Sequence, residues 1–202
     1  MSEGPWFEVK RGVLKHLNAW RGRIVFIHIN KTAGTSVERA LHLRSERKTA
    51  LQKREEMGRE RFERAFKFAF VRNPWDKVLS HYHYRLRTNR TGLADTGLDF
   101  RAWVLKAYGE RDPRWHDDPR MFMAQRLWLD DEAGRCLVDF VGRFERLEQD
   151  FSEACRRMGV QARLPHVKVT RHAPYRDAYD AETRALIARI FAADLEAFDF
   201  EF

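Results

Sequence analysis

An α/β fold with a mostly parallel central sheet flanked by helices is predicted by three observations along these 202 residues. Two short runs, IVFIHI at 24–29 and FKFAFV at 66–71, are β-branched and aromatic with almost no polar alternation, the composition of strands covered on both faces. Each leads through a polar turn into a segment with helical spacing. The resulting order, strand, helix, strand, helix, is the one that winds a parallel sheet.

The first strand gives way to the turn NKTAGTS, and TSVERALHL continues as a helix. A charged helix is expected over 48–57, within a stretch whose alternating signs, RSERKTALQKREEMGRERFERA, read as solvated surface. After the second strand, Asn73 suits an N-cap and Pro74 the first turn of a helix running through RNPWDKVLSHYHYRL. Asp99 caps FRAWVLKAY, which ends at Gly109, and ERDPRWHDDPR is a loop. RLWLDDEAGRCLVDFVGRFE predicts two strands around a turn at Glu132–Gly134. Leu147, Phe151, Cys155 and Met158 share one face of a helix that Gly159 terminates. The loop QARLPHVKVTRHAPYR carries Arg163, Lys168, Arg171 and Arg176 without an acid, and a last helix over 180–197 buries Leu186, Ile187, Ile190, Phe191 and Leu195.

With 44% apolar residues and no repeat, low-complexity tract or long linker, the chain is expected to form one domain over 1–202, residues 1–22 being an N-terminal extension. The two cysteines, Cys136 and Cys155, are too few for a disulfide framework and lack the spacing of a zinc site. No apolar run approaches the ~20 residues of a membrane span, and MSEGPWFEVKRG lacks the apolar core of a signal peptide. A cytoplasmic protein without a membrane span is the expectation. A net charge of +8 favours phosphorylated or polyanionic partners, but no nucleic-acid-binding module is recognisable and nucleic acid is not an expected partner.

A glycine-containing turn between strand and helix leaves backbone N–H groups unpaired at the positive end of the helix dipole, which makes an anion cradle. Lys31 adds a point charge, and Thr32, Thr35 and Ser36 add hydroxyl donors. The alternative is an ordinary turn with Thr35 or Ser36 as helix cap and Lys31 in solvent. In a Walker A loop the lysine follows the last glycine; here Lys31 precedes Gly34, no earlier glycine opens the loop, and no magnesium ligand is evident.

FIHINKTAGTS resembles the 5′-phosphosulfate loop of sulfotransferases, in particular the carbohydrate-type group with its H-[IV]-P-K-[TC]-[AG]-G-[TS]-[ST] pattern. FAFVRNPWDKVLSHY is similar to the family's second element, V-R-[ND]-P-[WF]-[DE]-[RK]-x-[LV]-S, whose arginine and serine hold a 3′-phosphate; the matching residues are Arg72 and Ser80. LVDFVGRFERLEQDF and the segment from LPHVKVT onward resemble later parts of the family, so the likeness covers most of 23–200. It implies a P-loop-like three-layer fold. It also implies transfer of a sulfuryl group from 3′-phosphoadenosine 5′-phosphosulfate (PAPS) to an acceptor hydroxyl on a carbohydrate, by in-line displacement without a metal, releasing adenosine 3′,5′-bisphosphate (PAP). Lys31, Thr32, Ala33, Gly34, Thr35 and Ser36 would then hold the 5′ end of the nucleotide and Lys31 its leaving oxygen, while Arg72, Ser80 and, by analogy, Arg171 or Arg176 hold the 3′-phosphate.

Two departures stand out. Asn30 replaces the family's proline, which predicts a less pre-organised loop. Arg47 and Lys48 stand where relatives often carry a histidine, and an arginine cannot act as a general base. His28 is therefore the candidate base, its alternative being a hydrogen-bonded core histidine that supports the loop. His81 and His83 read as packing or surface residues, and His116 with Asp117 and Asp118 as an acidic loop rather than a metal cluster. Trp75, Trp103, Trp115 and Trp128 either stack on sugars or fill the core. The rival activities are a P-loop kinase or NTPase, with Asp139 in CLVDF as a faint Walker B residue, and a catalytically weak relative that binds PAPS or PAP without transferring sulfate.

Overall fold

The computed structural model describes residues 22–44, 46–165 and 174–202. Strands β1 (Ile24–Ile27) and β2 (Phe66–Val71) are the two apolar runs, and β3 (Phe140–Arg143) lies on the far side of β2. Both pairings are parallel, with Ile24 opposite Phe66 and Val71 opposite Arg143. All three strands therefore end at one edge of the sheet, where open parallel sheets form their ligand crevice. β1 is shorter than expected because the Ile29 N–H turns back onto the Ile27 carbonyl at 3.1 Å, so His28 and Ile29 leave the ladder.

Alternation along β2 divides the core. Phe68 and Phe70 pack with Val37, Leu41, Phe151 and Met158 on one face, while Ala69 and Val71 join Ile27, Phe62, Trp128 and Leu129 on the other. Helices thus cover both faces of the sheet and give three layers. The crossover from β1 to β2 runs through α1 (Gly34–Leu41), α2 (Ala50–Met57) and α3 (Arg59–Arg64). α2 starts on a reciprocal cap between Thr49 and Gln52. The expected caps appear on the next two helices: Asn73 accepts from Trp75 N–H at the start of α4 (Pro74–Thr88), and Asp99 accepts from Ala102 N–H at the start of α5 (Phe100–Val104). α5 continues into a π-helical turn at Leu105–Glu110, and the short α6 (Pro119–Phe122) follows.

Two elements differ from expectation. Residues 126–129 form a helix, α7 (Arg126–Leu129), rather than a strand. The buried Asp194 carboxylate accepts from the N–H groups of Gln125 at 2.8 Å and Arg126 at 2.9 Å and so fixes the first turn. Only a single antiparallel bridge, Asp130 to Cys136, remains of the predicted strand pair. The long C-terminal helix is instead two, α9 (Ala181–Ile190) and α10 (Ala192–Phe198), broken at Phe191, whose side chain is fully buried against α4 and α5 residues. Between β3 and these lies α8 (Leu147–Met158), ended by Gly159 at φ 67° as predicted. Cys136 and Cys155 are free thiols, and among the described residues no helix is long and apolar enough to cross a membrane.

Candidate functional site

The turn between β1 and α1 owes its shape to residues other than its glycine. Lys31 and Ala33 take left-handed backbone angles, φ 66° and 65°, a conformation that non-glycine residues hold only when their surroundings force it. Between them Thr32 is fully buried, and its hydroxyl donates to the Ile29 carbonyl at 2.9 Å. That hydroxyl, expected to face a ligand, is spent inside the turn. Among the described residues no side chain caps α1, so neither Thr35 nor Ser36 serves as its cap, and the first N–H groups of the helix point to the crevice without a side-chain partner there.

Gly34 is required for a steric reason. A Cβ there would stand 2.1 Å from Cδ2 and 2.2 Å from Nε2 of His28, whose ring lies against the loop. His28 is buried, stacks on Phe26, and through Nδ1 donates to Glu38 of α1 at 2.6 Å. Burial lowers its pKa although Glu38 pulls the other way, so the imidazole is neutral near pH 7. Asn30 supplies a tether in place of the family's proline: its side-chain amide donates to the Arg120 carbonyl at 2.7 Å.

Arg72, the first residue beyond β2, is clamped by Gln125, which accepts from its N–H at 2.9 Å and donates to its carbonyl at 2.8 Å. Its guanidinium lies over the Phe144 ring at 3.9 Å, donates through Nε to Asp76 at 2.8 Å, and through Nη1 to the Lys31 carbonyl at 3.2 Å. The last bond joins the two sequence motifs directly. Both face one cavity of about 1000 Å³, lined by His28, Lys31, Ala33, Gly34, Thr35, Ser36, Arg72 and Ser80, that is, by every predicted site residue except Thr32 and Arg171. Arg171 lies outside the described residues. Arg176 is exposed over Tyr175 and does not line the cavity.

Lys31 extends over the Tyr84 ring at 4.4 Å, and its pKa is lowered to about 8, first by burial and then by Arg72, Arg87 and Arg47. Tyr84 and Arg87 share the cavity with Ser80 because they follow it at i+4 and i+7 on one face of α4. That spacing was readable once Ser80 was singled out. Gln125 and Glu38 had no local signal; each acts on a residue placed beside it only by folding.

The remaining candidates are engaged elsewhere. Asp139 sits at the opposite edge of the sheet and pairs with Lys67 at 3.1 Å, far from where a Walker B carboxylate belongs. His81 is buried between Arg85 and Tyr108. His83 packs edge-on against Tyr82. His116 stacks on Phe122 and bonds the Ala107 carbonyl, while Asp117 makes a two-pronged pair with Arg85. Trp75, Trp103, Trp115 and Trp128 are all buried in the core.

The model of the Sulfotransferase family matches residues 19–201. An uncharacterized protein of Archaeoglobus fulgidus is 28% identical over 116 residues, 55% of this chain and 82% of that protein. A crystal structure of a sulfotransferase from Alicyclobacillus acidocaldarius is 22% identical with a TM-score of 0.38; the match covers 75% of this chain and 62% of that one, less than two thirds of its length.

Proposed function

The chain belongs to the sulfotransferase family, and we propose that it moves the sulfuryl group of PAPS to a hydroxyl of a carbohydrate acceptor. The observation that carries this reading is the meeting of two anion anchors in one cavity, the Lys31–Ser36 cradle and Arg72 with Ser80, joined by the Arg72 to Lys31 bond of 3.2 Å. The crowding of Arg72, Arg87 and Arg47 around a half-buried Lys31 suits a donor with several negative charges.

In this reading the cradle N–H groups hold the 5′-phosphate, and Arg72 and Ser80 hold the 3′-phosphate. The acceptor oxygen forms a new bond to sulfur as the bond from sulfur to the bridging oxygen breaks. Negative charge grows on that oxygen, and the Lys31 ammonium stabilises it. The acceptor proton passes to the neutral imidazole of His28, whose orientation Glu38 fixes.

Titration calorimetry with PAP, compared with ATP and magnesium, tests the donor assignment, and sulfate transfer from PAPS to a panel of glycans tests the activity. PAP binding with transfer supports the proposal. Preference for magnesium ATP refutes it, and PAP binding without transfer to any hydroxyl would identify a relative that has kept the site and lost the chemistry.

A further inference from the structure

We propose that Asp194, a buried residue of α10 that does not line the cavity, is a positioning residue for the 3′-phosphate anchor: its carboxylate fixes the Gln125 amide, which in turn aims Arg72. This rests on the sulfuryl-transfer reading and deepens it at the 3′ end of the donor.

A primary amide can present its oxygen and its NH2 either way round, and only one choice satisfies a given set of partners. Both backbone groups of Arg72 depend on that choice, its N–H on Gln125 Oε1 at 2.9 Å and its carbonyl on Nε2 at 2.8 Å. Asp194 Oδ2 accepts from the same Nε2 at 3.3 Å and from the Gln125 N–H at 2.8 Å, so it ties the side chain to its own backbone in the orientation that Arg72 needs. The other oxygen, Oδ1, accepts from the Arg126 N–H at 2.9 Å. With both oxygens accepting, the group acts as a carboxylate, and Gln125 and Asp194 are each fully buried.

Capping α7 does not account for a charge here. A neutral side chain at the start of so short a helix would satisfy its N–H groups, whereas a buried carboxylate carries a desolvation cost that needs compensation. The compensation is itself buried. Lys77 of α4, fully enclosed, donates to the Met123 carbonyl at 3.4 Å and lies over the Phe191 ring at 5.1 Å, and Asp194 favours its charge. One ammonium and one carboxylate thus join α4, the segment before α7, and α10 behind Arg72. In front, the Arg72 guanidinium spends Nε on Asp76 and Nη1 on the Lys31 carbonyl. The direction of Nη2 therefore follows from where the Arg72 backbone is held, and a misplacement of about 1 Å at such a point can cost about a hundredfold in function.

The test compares PAP with AMP, which lacks only the 3′-phosphate, by calorimetry on the full chain, AMP being measured by competition against PAP. Wild type is expected to prefer PAP at least about tenfold, and Arg72→Ala to erase that preference; if either fails, the donor assignment falls and this inference with it. With both in hand, Asp194→Ala should reduce the preference at least about fivefold while AMP affinity stays within about threefold, because only the 3′ anchor has moved. In a Gln125→Leu background the same substitution should change the preference less than about twofold. Lys77→Met/Asp194→Ala, which removes the buried pair together and leaves no unpaired charge, should show the same selective loss and serves where the single variant does not fold. An unchanged preference, a parallel loss of PAP and AMP, or an undiminished effect in the Gln125→Leu background overturns the proposal. Failure of both Asp194 variants to fold also overturns it, since Asp194 would then serve stability alone.

Discussion

Alanine at Gly34 isolates the contact that shapes the cradle. Its methyl would lie 2.1 Å from His28 Cδ2 and 2.2 Å from Nε2, where carbon contacts normally stand at about 3.5–4.0 Å. Backbone conformation is not the obstacle, because Gly34 is absent from the positive-φ positions and already begins a helix. The ring has little room to yield, being buried, stacked on Phe26 and bonded to Glu38 at 2.6 Å. If it swings away, the buried Glu38 carboxylate loses its partner, which costs about 1–3 kcal/mol; if α1 shifts instead, overpacking costs about 1–3 kcal/mol. A loss of about 2–4 kcal/mol is expected, since relief of one strain incurs part of the other. In a His28→Ala background the methyl has space, and the same substitution should cost less than about 1 kcal/mol, helped by the better helix propensity of alanine. Urea unfolding of the four proteins closes the cycle, with Glu38 equally unpartnered in both His28→Ala members. A coupling of at least about 1 kcal/mol is the expected result. A Gly34→Ala protein within about 0.5 kcal/mol of wild type, or the same penalty in both backgrounds, would refute the steric account.

The other predictions concern the charges around the cavity. Lys31→Ala should lose about a hundred- to a thousandfold in turnover while PAP binding stays measurable, a range bounded by one unit charge at 4 Å and an effective dielectric of about 20; undiminished turnover removes the role given to Lys31. Arg72→Ala should weaken PAP at least about tenfold with a smaller effect at saturating donor, and unchanged affinity would detach Arg72 from the 3′-phosphate. Gln125→Leu strips both backbone groups of Arg72 of their partners and should destabilise the fold by about 2–4 kcal/mol, with weaker PAP binding; a variant as stable as wild type would show that the clamp holds nothing. Lys31 loses its charge as pH rises through about 8, so donor kcat/KM should fall above that pH, and Lys31→Arg should abolish the fall. Stability runs oppositely: an unfolded lysine keeps its proton to its ordinary 10.5, so from about pH 8 to 10.5 the unfolded chain binds more protons and this group raises stability with pH, as does buried Lys77, also lowered to about 8. A flat activity profile through pH 9 would contradict the Lys31 assignment.

What the sequence determined by itself was local. Unbroken apolar runs placed β1 and β2, Asn73 and Asp99 started their helices, Gly159 ended one, and the turn with Lys31 and the Arg72 to Ser80 spacing named residues that line one cavity. Each rests on residues within a turn or two of one another, where backbone sterics and periodicity act without knowledge of the rest of the chain. Only tertiary structure decided why Gly34 is glycine, which way Thr32 points, what replaces the missing proline at Asn30, and why 126–129 is a helix. Those outcomes depend on His28 meeting Glu38, on a turn held by Lys31 and Ala33 at positive φ, on Arg120, and on Asp194 reaching Gln125 across the chain. The physical reason is common to them: a buried polar group must find a partner wherever the packed chain brings one, and that partner's position follows from the fold rather than from its distance along the sequence.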